Sequence, residues 1–214
     1  MKIFLALIFS FVLFTGCKKP EQAELEKGQS EIKKENFHIA LTHFDKVIIR
    51  APNSEQALEA AREAAKATFF NSKEFDRAIR YYKFLVLRST DATERLLSQK
   101  QLIAIYFDHQ MNYPQAVIEI NKLITMLDDP KEKIEFKIKL ARAYYYQNNF
   151  LQAENEIDEF LQKEQVGELK FDLLLLKANV NLAKKEVFKA IEILKSLLLN
   201  FPERASKENI GTTL

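Results

Sequence analysis

The chain has 214 residues, 47% of them apolar, with 32 basic against 30 acidic side chains and a formal charge of +2. That near-balance leaves no basic footprint for nucleic acid, and the four glycines in the chain are too few to suggest a phosphate-cradling loop. A single cysteine excludes an internal disulfide and a cysteine-based metal site, and the length suits one or two ordinary domains or one array of small units.

Residues 1–16, "MKIFLALIFSFVLFTG", read as an export signal. Lys2 is the single charge, and residues 3–14 are apolar apart from Ser10. A membrane-crossing helix needs roughly 20 apolar residues, so this run is too short, whereas a lysine, a short apolar core and small residues at its end make a secretory signal. Thr15, Gly16 and Cys17 resemble the lipobox of bacterial lipoproteins, with Phe14 where that box usually has leucine and Leu13 one place further back. The resemblance implies cleavage before Cys17, a diacylglycerol on its sulfur, an acyl group on the new amine, and a lipidated tether over residues 17–20. Lys18 and Lys19 would then lie among headgroups, where each basic residue near an anionic surface contributes about 1 kcal/mol. In that family an aspartate after the cysteine retains the protein at the inner membrane. Lys18 in that place implies attachment to the outer membrane, facing the periplasm.

From there the chain repeats. The segments "NFHIALTHFDKVI", "EFDRAIRYYKFLV", "NYPQAVIEINKLI", "NFLQAENEIDEFL" and "EVFKAIEILKSLL" each place an alanine fifth: Ala40, Ala78, Ala116, Ala153 and Ala190, at steps of 38, 38, 37 and 37. Three residues before each alanine stands Phe37, Phe75, Tyr113, Phe150 or Val187. Four after stands Phe44, Tyr82, Ile120, Ile157 or Leu194, and seven after Val47, Leu85, Leu123, Phe160 or Leu197. Apolar positions at 0, 4 and 7 share one face of a helix. A partner helix precedes each: twelve residues before the alanines are Gly28, Lys66, Ala104, Ala141 and Ala178, four of them small, as close helix packing requires. Nine before are Glu31, Phe69, Phe107, Tyr144 and Asn181. Pro52, Pro130 and Pro202 follow second helices and Pro114 opens one, where its missing N–H costs nothing.

This pattern resembles the tetratricopeptide repeat: Gly28, Phe37, Ala40, Phe44 and Pro52 stand at matching spacing in the first repeat. The resemblance implies an all-α, right-handed solenoid of about five helix-turn-helix repeats over residues 21–204, with ten helices in five antiparallel pairs. The period exceeds the usual 34 residues, and the extra residues are expected to lengthen helices or turns. Residues 205–214 are expected either to cap the array or to begin a further repeat that is cut short.

Little suggests chemistry. His38 and His43 are five apart, a poor fit to the spacing of helical zinc ligands, and both fit the surface of a second helix. Asp128 and Asp129 sit in a turn beside Pro130 and read as solvated. Neither a nucleophile elbow nor a phosphate loop is recognisable. No enzyme, cofactor or metal site is expected.

In the family that the repeats resemble, binding occurs on the inner face lined by first helices. Carried onto this chain, three of those positions give Gln29, Ile32 and Lys33; Ala67, Phe70 and Asn71; Ile105, Asp108 and His109; Arg142, Tyr145 and Tyr146; Asn179, Leu182 and Ala183. The lysine and asparagine of the family's carboxylate clamp are not matched, since Glu63 and Ala67 or Gln101 and Ile105 stand there. The expected partner-binding set is Phe70, Asn71, His109, Arg142, Tyr145 and Tyr146, tyrosine and arginine being common interface anchors. An equally weighted alternative has Tyr144 packed inside and its neighbours merely covering the helix. A signal with a lipobox followed by about five repeats resembles BamD-like lipoproteins of the outer-membrane barrel-assembly machine, and implies an anchored periplasmic scaffold for protein partners. Two other readings stay open: a periplasmic chaperone-accessory or cell-wall-coordinating repeat protein, and an anchored binder of peptidoglycan or glycan strands through Arg142, Tyr145 and Tyr146.

Overall fold

A computed structural model describes residues 19–162, 167 and 169–212; the signal segment and Cys17 lie outside them. Ten helices form five consecutive pairs: α1 Pro20–Lys33 with α2 Phe37–Arg50, α3 Glu55–Lys66 with α4 Phe75–Arg88, α5 Ala92–Ala104 with α6 Tyr113–Met126, α7 Pro130–Tyr146 with α8 Phe150–Leu161, and α9 Lys170–Ala183 with α10 Val187–Asn200. A short α11, Pro202–Lys207, and a 3-10 turn, Ile210–Thr212, follow. The described residues contain no strand.

The alanine ladder is the spine of the array. Ala40, Ala78, Ala116, Ala153 and Ala190 are all fully buried, and so are Phe44, Ile120, Ile157, Val47, Leu123 and Leu197 at the later positions of the same stripes. Small residues let paired helices approach. The clearest case is Gly28 of α1, where an added Cβ would lie 2.4 Å from the ring of Phe44 on α2.

Within every pair the turn reverses through one left-handed residue five places before the ladder alanine: Glu35, Lys73, Met111, Asn148 and Lys185, with φ between 50° and 64°. None is glycine, although this region of backbone space favours it. Between pairs, side chains begin the next helix. Ser54 accepts from the Ala57 N–H at 3.1 Å, Asp91 from Thr93 at 2.8 Å and Asp129 from Lys131 at 3.0 Å. Asp129 thus caps α7 ahead of Pro130, which gives one of the two turn aspartates a structural task.

The unequal steps have a local cause. In the second and third repeats the first helix ends in a π-helical turn, Ala67–Asn71 and Ile105–His109, closed by N–H groups of Ser72 and Gln110 reaching five residues back to Ala67 and Ile105. One wide turn accommodates one extra residue. The two repeats that contain it end the 38-residue steps, and the two repeats without it end the 37-residue steps.

Three clusters of buried apolar side chains run along the array, within residues 25–140, 134–180 and 171–210, each sharing helices with the next. A buried polar link crosses the third repeat: Gln99 of α5 donates to the Glu119 side chain at 2.8 Å and to its carbonyl at 2.9 Å. Burial works against the Glu119 charge, but hydrogen bonds from Gln99 and Lys122 hold its carboxyl below the ordinary range. At the far end Ala205 and Ile210 pack with Phe171, Leu194 and Leu197, and Arg204 lies 4.3 Å over the Phe171 ring while bonding Asp172 at 3.1 Å.

Candidate binding groove

The π turns decide which side chains of the first helices face outward. In repeats one, four and five the residue twelve before the ladder alanine is buried: Gly28, Ala141 and Ala178. In repeats two and three that place falls to Lys66, which is exposed, and Ala104, which is half-buried, while Ala65 and Ile103 one place earlier enter the core. Ala67 and Ile105, expected on the groove, are therefore core residues at 3% and 0% exposure. The cause is the extra residue, which rotates everything upstream of it by one position.

A concavity of about 460 Å³ lies between α3 and α5, with Tyr82 and Leu85 of α4 as its floor. Phe70 from the π turn and Leu97 from α5 form its apolar walls and are 62% and 54% exposed. Its rim is held by Arg62, which binds Glu94 across the two helices and Glu55 at 3.0 Å, so that the guanidinium is raised above its ordinary pKa mainly by Glu94. Lys66 and Gln101 complete the polar edge. Burial pushes the Tyr82 hydroxyl up to about 12. The floor is a neutral phenol and aliphatic carbon and the charge lies on the rim, an arrangement that suits an apolar side chain on a polar backbone.

A second, smaller concavity of about 300 Å³ lies between α7 and α9, lined by Glu135, Ile138, Arg142, Leu169 and Asp172. Arg142 is exposed and makes no hydrogen bond or ion pair among the described residues.

The expected site residues divide. Phe70 lines the α3–α5 cavity and Arg142 the α7–α9 cavity. Asn71 is exposed at the end of the π turn. His109 stacks on Phe75 of the preceding repeat at 4.5 Å, and Tyr146 stacks on Tyr113 of the preceding repeat at 4.8 Å. Each of these two rings thus spends one face on a contact between repeats. Tyr145 is half-buried against Phe150 at 6.0 Å, and Tyr144 packs against the core. Leu97, Tyr82, Leu85 and Arg62 were absent from the expected set. Leu97 had a readable signal, a second leucine beside Leu96 where only Leu96 is needed for the core side. Arg62 depended on the rotation imposed by the π turn, while Tyr82 and Leu85 were read only as members of the apolar stripe of α4. No group of three or more histidine, cysteine, aspartate or glutamate side chains that could hold a metal ion exists among the described residues.

Comparison with known proteins agrees with the fold. The family model described as tetratricopeptide repeat matches residues 138–207, from α7 through α11. The crystal structure of the nearly identical TPR-like repeats of a Podosopora anserina protein described as a kinesin light chain superposes with a TM-score of 0.51 at 16% identity, over 84% of this chain and 94% of that one. The crystal structure of MamA protein gives a TM-score of 0.53 at 16% identity, over 87% and 94%. No curated protein matches. The fold is that of a tetratricopeptide-repeat solenoid, an architecture whose stacked repeats build an extended concave surface.

Proposed function

We propose that this chain is a membrane-tethered scaffold whose inner groove holds a segment of a partner protein. The observation that carries the reading is the α3–α5 cavity, where Phe70 and Leu97 stand exposed over an apolar floor within an ion-paired rim. Several large apolar side chains are exposed along the array, but Phe70 and Leu97 are the two that line this concavity together, an arrangement that suits a ligand. Arg142, without an ion pair among the described residues, supplies a second contact further along. The lipobox-like Thr15-Gly16-Cys17 supports lipid attachment at Cys17, and Lys18 in place of aspartate supports the outer membrane, facing the periplasm, with outer-membrane protein assembly as the process served.

Two measurements test this. Mass spectrometry of the protein from a bacterial envelope is expected to show a chain beginning at Cys17 with its acyl groups, and Cys17→Ala to leave the membrane fraction or accumulate uncleaved. A free thiol at Cys17 on a soluble wild-type chain would end the anchoring reading. For the groove, a photocrosslinker placed at Phe70 or Leu97 is expected to capture a partner in cells. Adducts formed from His38 on α2 and from neither groove position would move the site elsewhere.

A further inference from the structure

The outer surface of the first two repeats carries exposed cations beside exposed aliphatic side chains. On α4, Arg80, Lys83 and Leu87 follow one another at spacings of three and four, one stripe of the helix, and all are exposed. On α2, Lys46, Ile49 and Arg50 are exposed near the end of the helix, and of these only Ile49 stands at the place of a residue in that α4 stripe, Leu87. Ile49 and Leu87 occupy the same place in consecutive second helices, nine residues after the ladder alanines, and are 78% and 75% exposed. Arg50 and Arg80 make no ion pair or hydrogen bond among the described residues. Lys83 rests 5.6 Å over the Tyr106 ring, and Lys46 is 3.6 Å from a Glu24 carboxylate already engaged by Lys27 and His43. The nearby acids are occupied. Asp45 receives Tyr81 at 2.6 Å and Arg77 at 3.3 Å, which also join α2 to α4; Glu55 pairs with Arg62; and Asp91 caps α5.

We propose that the outer face of α2 and α4 docks on the surface of an anionic phospholipid bilayer, with Ile49 and Leu87 dipping among the headgroups. Cations beside isolated aliphatic tips are the chemistry of an interfacial membrane contact. The two tips stand on different helices with cations around them, so they form no continuous apolar pocket for a fixed protein ligand, whereas a fluid headgroup layer needs none. The course of the chain agrees. α1 pairs antiparallel with α2, so Lys19 at the start of α1 lies at the end of the array where α2 finishes in Ile49 and Arg50. Cys17 is three residues before Pro20, a reach of at most about 10 Å, so an acylated Cys17 would hold this end and not the opposite one at the bilayer. That last argument rests on the anchoring proposed above; the surface chemistry does not. No described helix is long and apolar enough to cross a membrane, so the contact is peripheral.

The chain contains no tryptophan, so a single introduced one reports its own position. Two full-length variants are compared: Leu87→Trp, and Phe188→Trp at the start of α10, 88% exposed and at the opposite end of its helix. Each is mixed with vesicles of equal parts phosphatidylglycerol and phosphatidylcholine whose acyl chains are brominated, and with phosphatidylcholine vesicles alone. Leu87→Trp is expected to shift to the blue and be quenched on the anionic vesicles, and Phe188→Trp to do neither. Replacing Arg50, Arg80 and Lys83 by glutamine is expected to weaken vesicle binding roughly a hundredfold at low salt. Quenching equal at both positions, absent at Leu87, or equal on neutral lipid overturns the proposal. Tight binding of polyglutamate without quenching replaces the bilayer by an acidic protein. Repeating the measurement with Cys17→Ala separates the two ideas: loss of attachment in cells with quenching retained on vesicles leaves the face intact, and quenching lost while acylated wild type still attaches defeats the face alone.

Discussion

Gly28 shows how one side chain sets the spacing of a pair. A methyl group there would stand 2.4 Å from the Phe44 ring, which is fully buried and has nowhere to go. Alanine is intrinsically better in a helix by about 1 kcal/mol, but overpacking costs typically about 1–3 kcal/mol. Gly28→Ala is therefore expected to lower the free energy of unfolding by about 1 kcal/mol, read as an earlier urea midpoint. The left-handed turn residues give the opposite sign. Met111 has φ 50° and is 67% exposed, so little packing is lost on its removal. Left-handed backbone costs an ordinary residue roughly 1–2 kcal/mol, part of which glycine forfeits through unfolded-state entropy. Met111→Gly should stabilise by about 0.5–1 kcal/mol, and Asn148→Gly by less because asparagine already tolerates this region. Acid supplies a third test at this scale. Hydrogen bonds from Lys27 and then His43 lower the Glu24 carboxyl from 4.5 to about 2. A depressed folded pKa means that the stabilisation is complete above 4.5 and is lost as pH falls from there towards 2. Urea midpoints measured down that range should fall less steeply in Glu24→Gln than in the wild type. The alanine ladder was legible because alanine recurs with apolar partners at helical spacing. The left-handed turns were not, because Glu, Lys, Met and Asn occupy them and none announces the conformation.

Among the elements, the helix pairs follow from spacing, yet the two π turns do not. A step of 38 against 37 residues told that one residue is extra in the second and third repeats, without telling whether a helix or a turn absorbs it. A turn wide by one residue keeps both flanking helices in register with their neighbours, which explains why the ladder survives the insertion. It also rotated the upstream half of each first helix, and so Ala67 and Ile105 went into the core while Lys66 came out. Glu119 escaped a sequence reading for a related reason. An acid on an amphipathic helix reads as solvated, but here Gln99 meets it from the neighbouring helix at 2.8 Å and it is 2% exposed. The account of the π turn predicts an asymmetry between deletions. Removing Asn71 from the wide turn should convert it to an ordinary helical turn and leave a cooperative, fully helical protein. Removing the buried Ile79 from α4 should shift every later stripe residue and abolish the cooperative transition seen by circular dichroism.

At the scale of the whole molecule, the pairs stack so that each buries its neighbour, and stability is shared between adjacent repeats and not gathered in one centre. The inner groove keeps an apolar floor under a charged rim, and the outer side of the first two repeats carries exposed cations beside Ile49 and Leu87. A protein held by the outer face would leave the inner groove open to a partner. The groove is the central functional claim. Once a partner segment has been captured, its affinity for the wild type should be compared by titration calorimetry with that for Phe70→Ala, Leu97→Ala and the outer-face control His38→Ala. Truncating a true anchor costs more than about 2 kcal/mol, roughly thirtyfold in dissociation constant. The account predicts that loss in both groove variants and none in the control; unchanged affinity in both groove variants would contradict it.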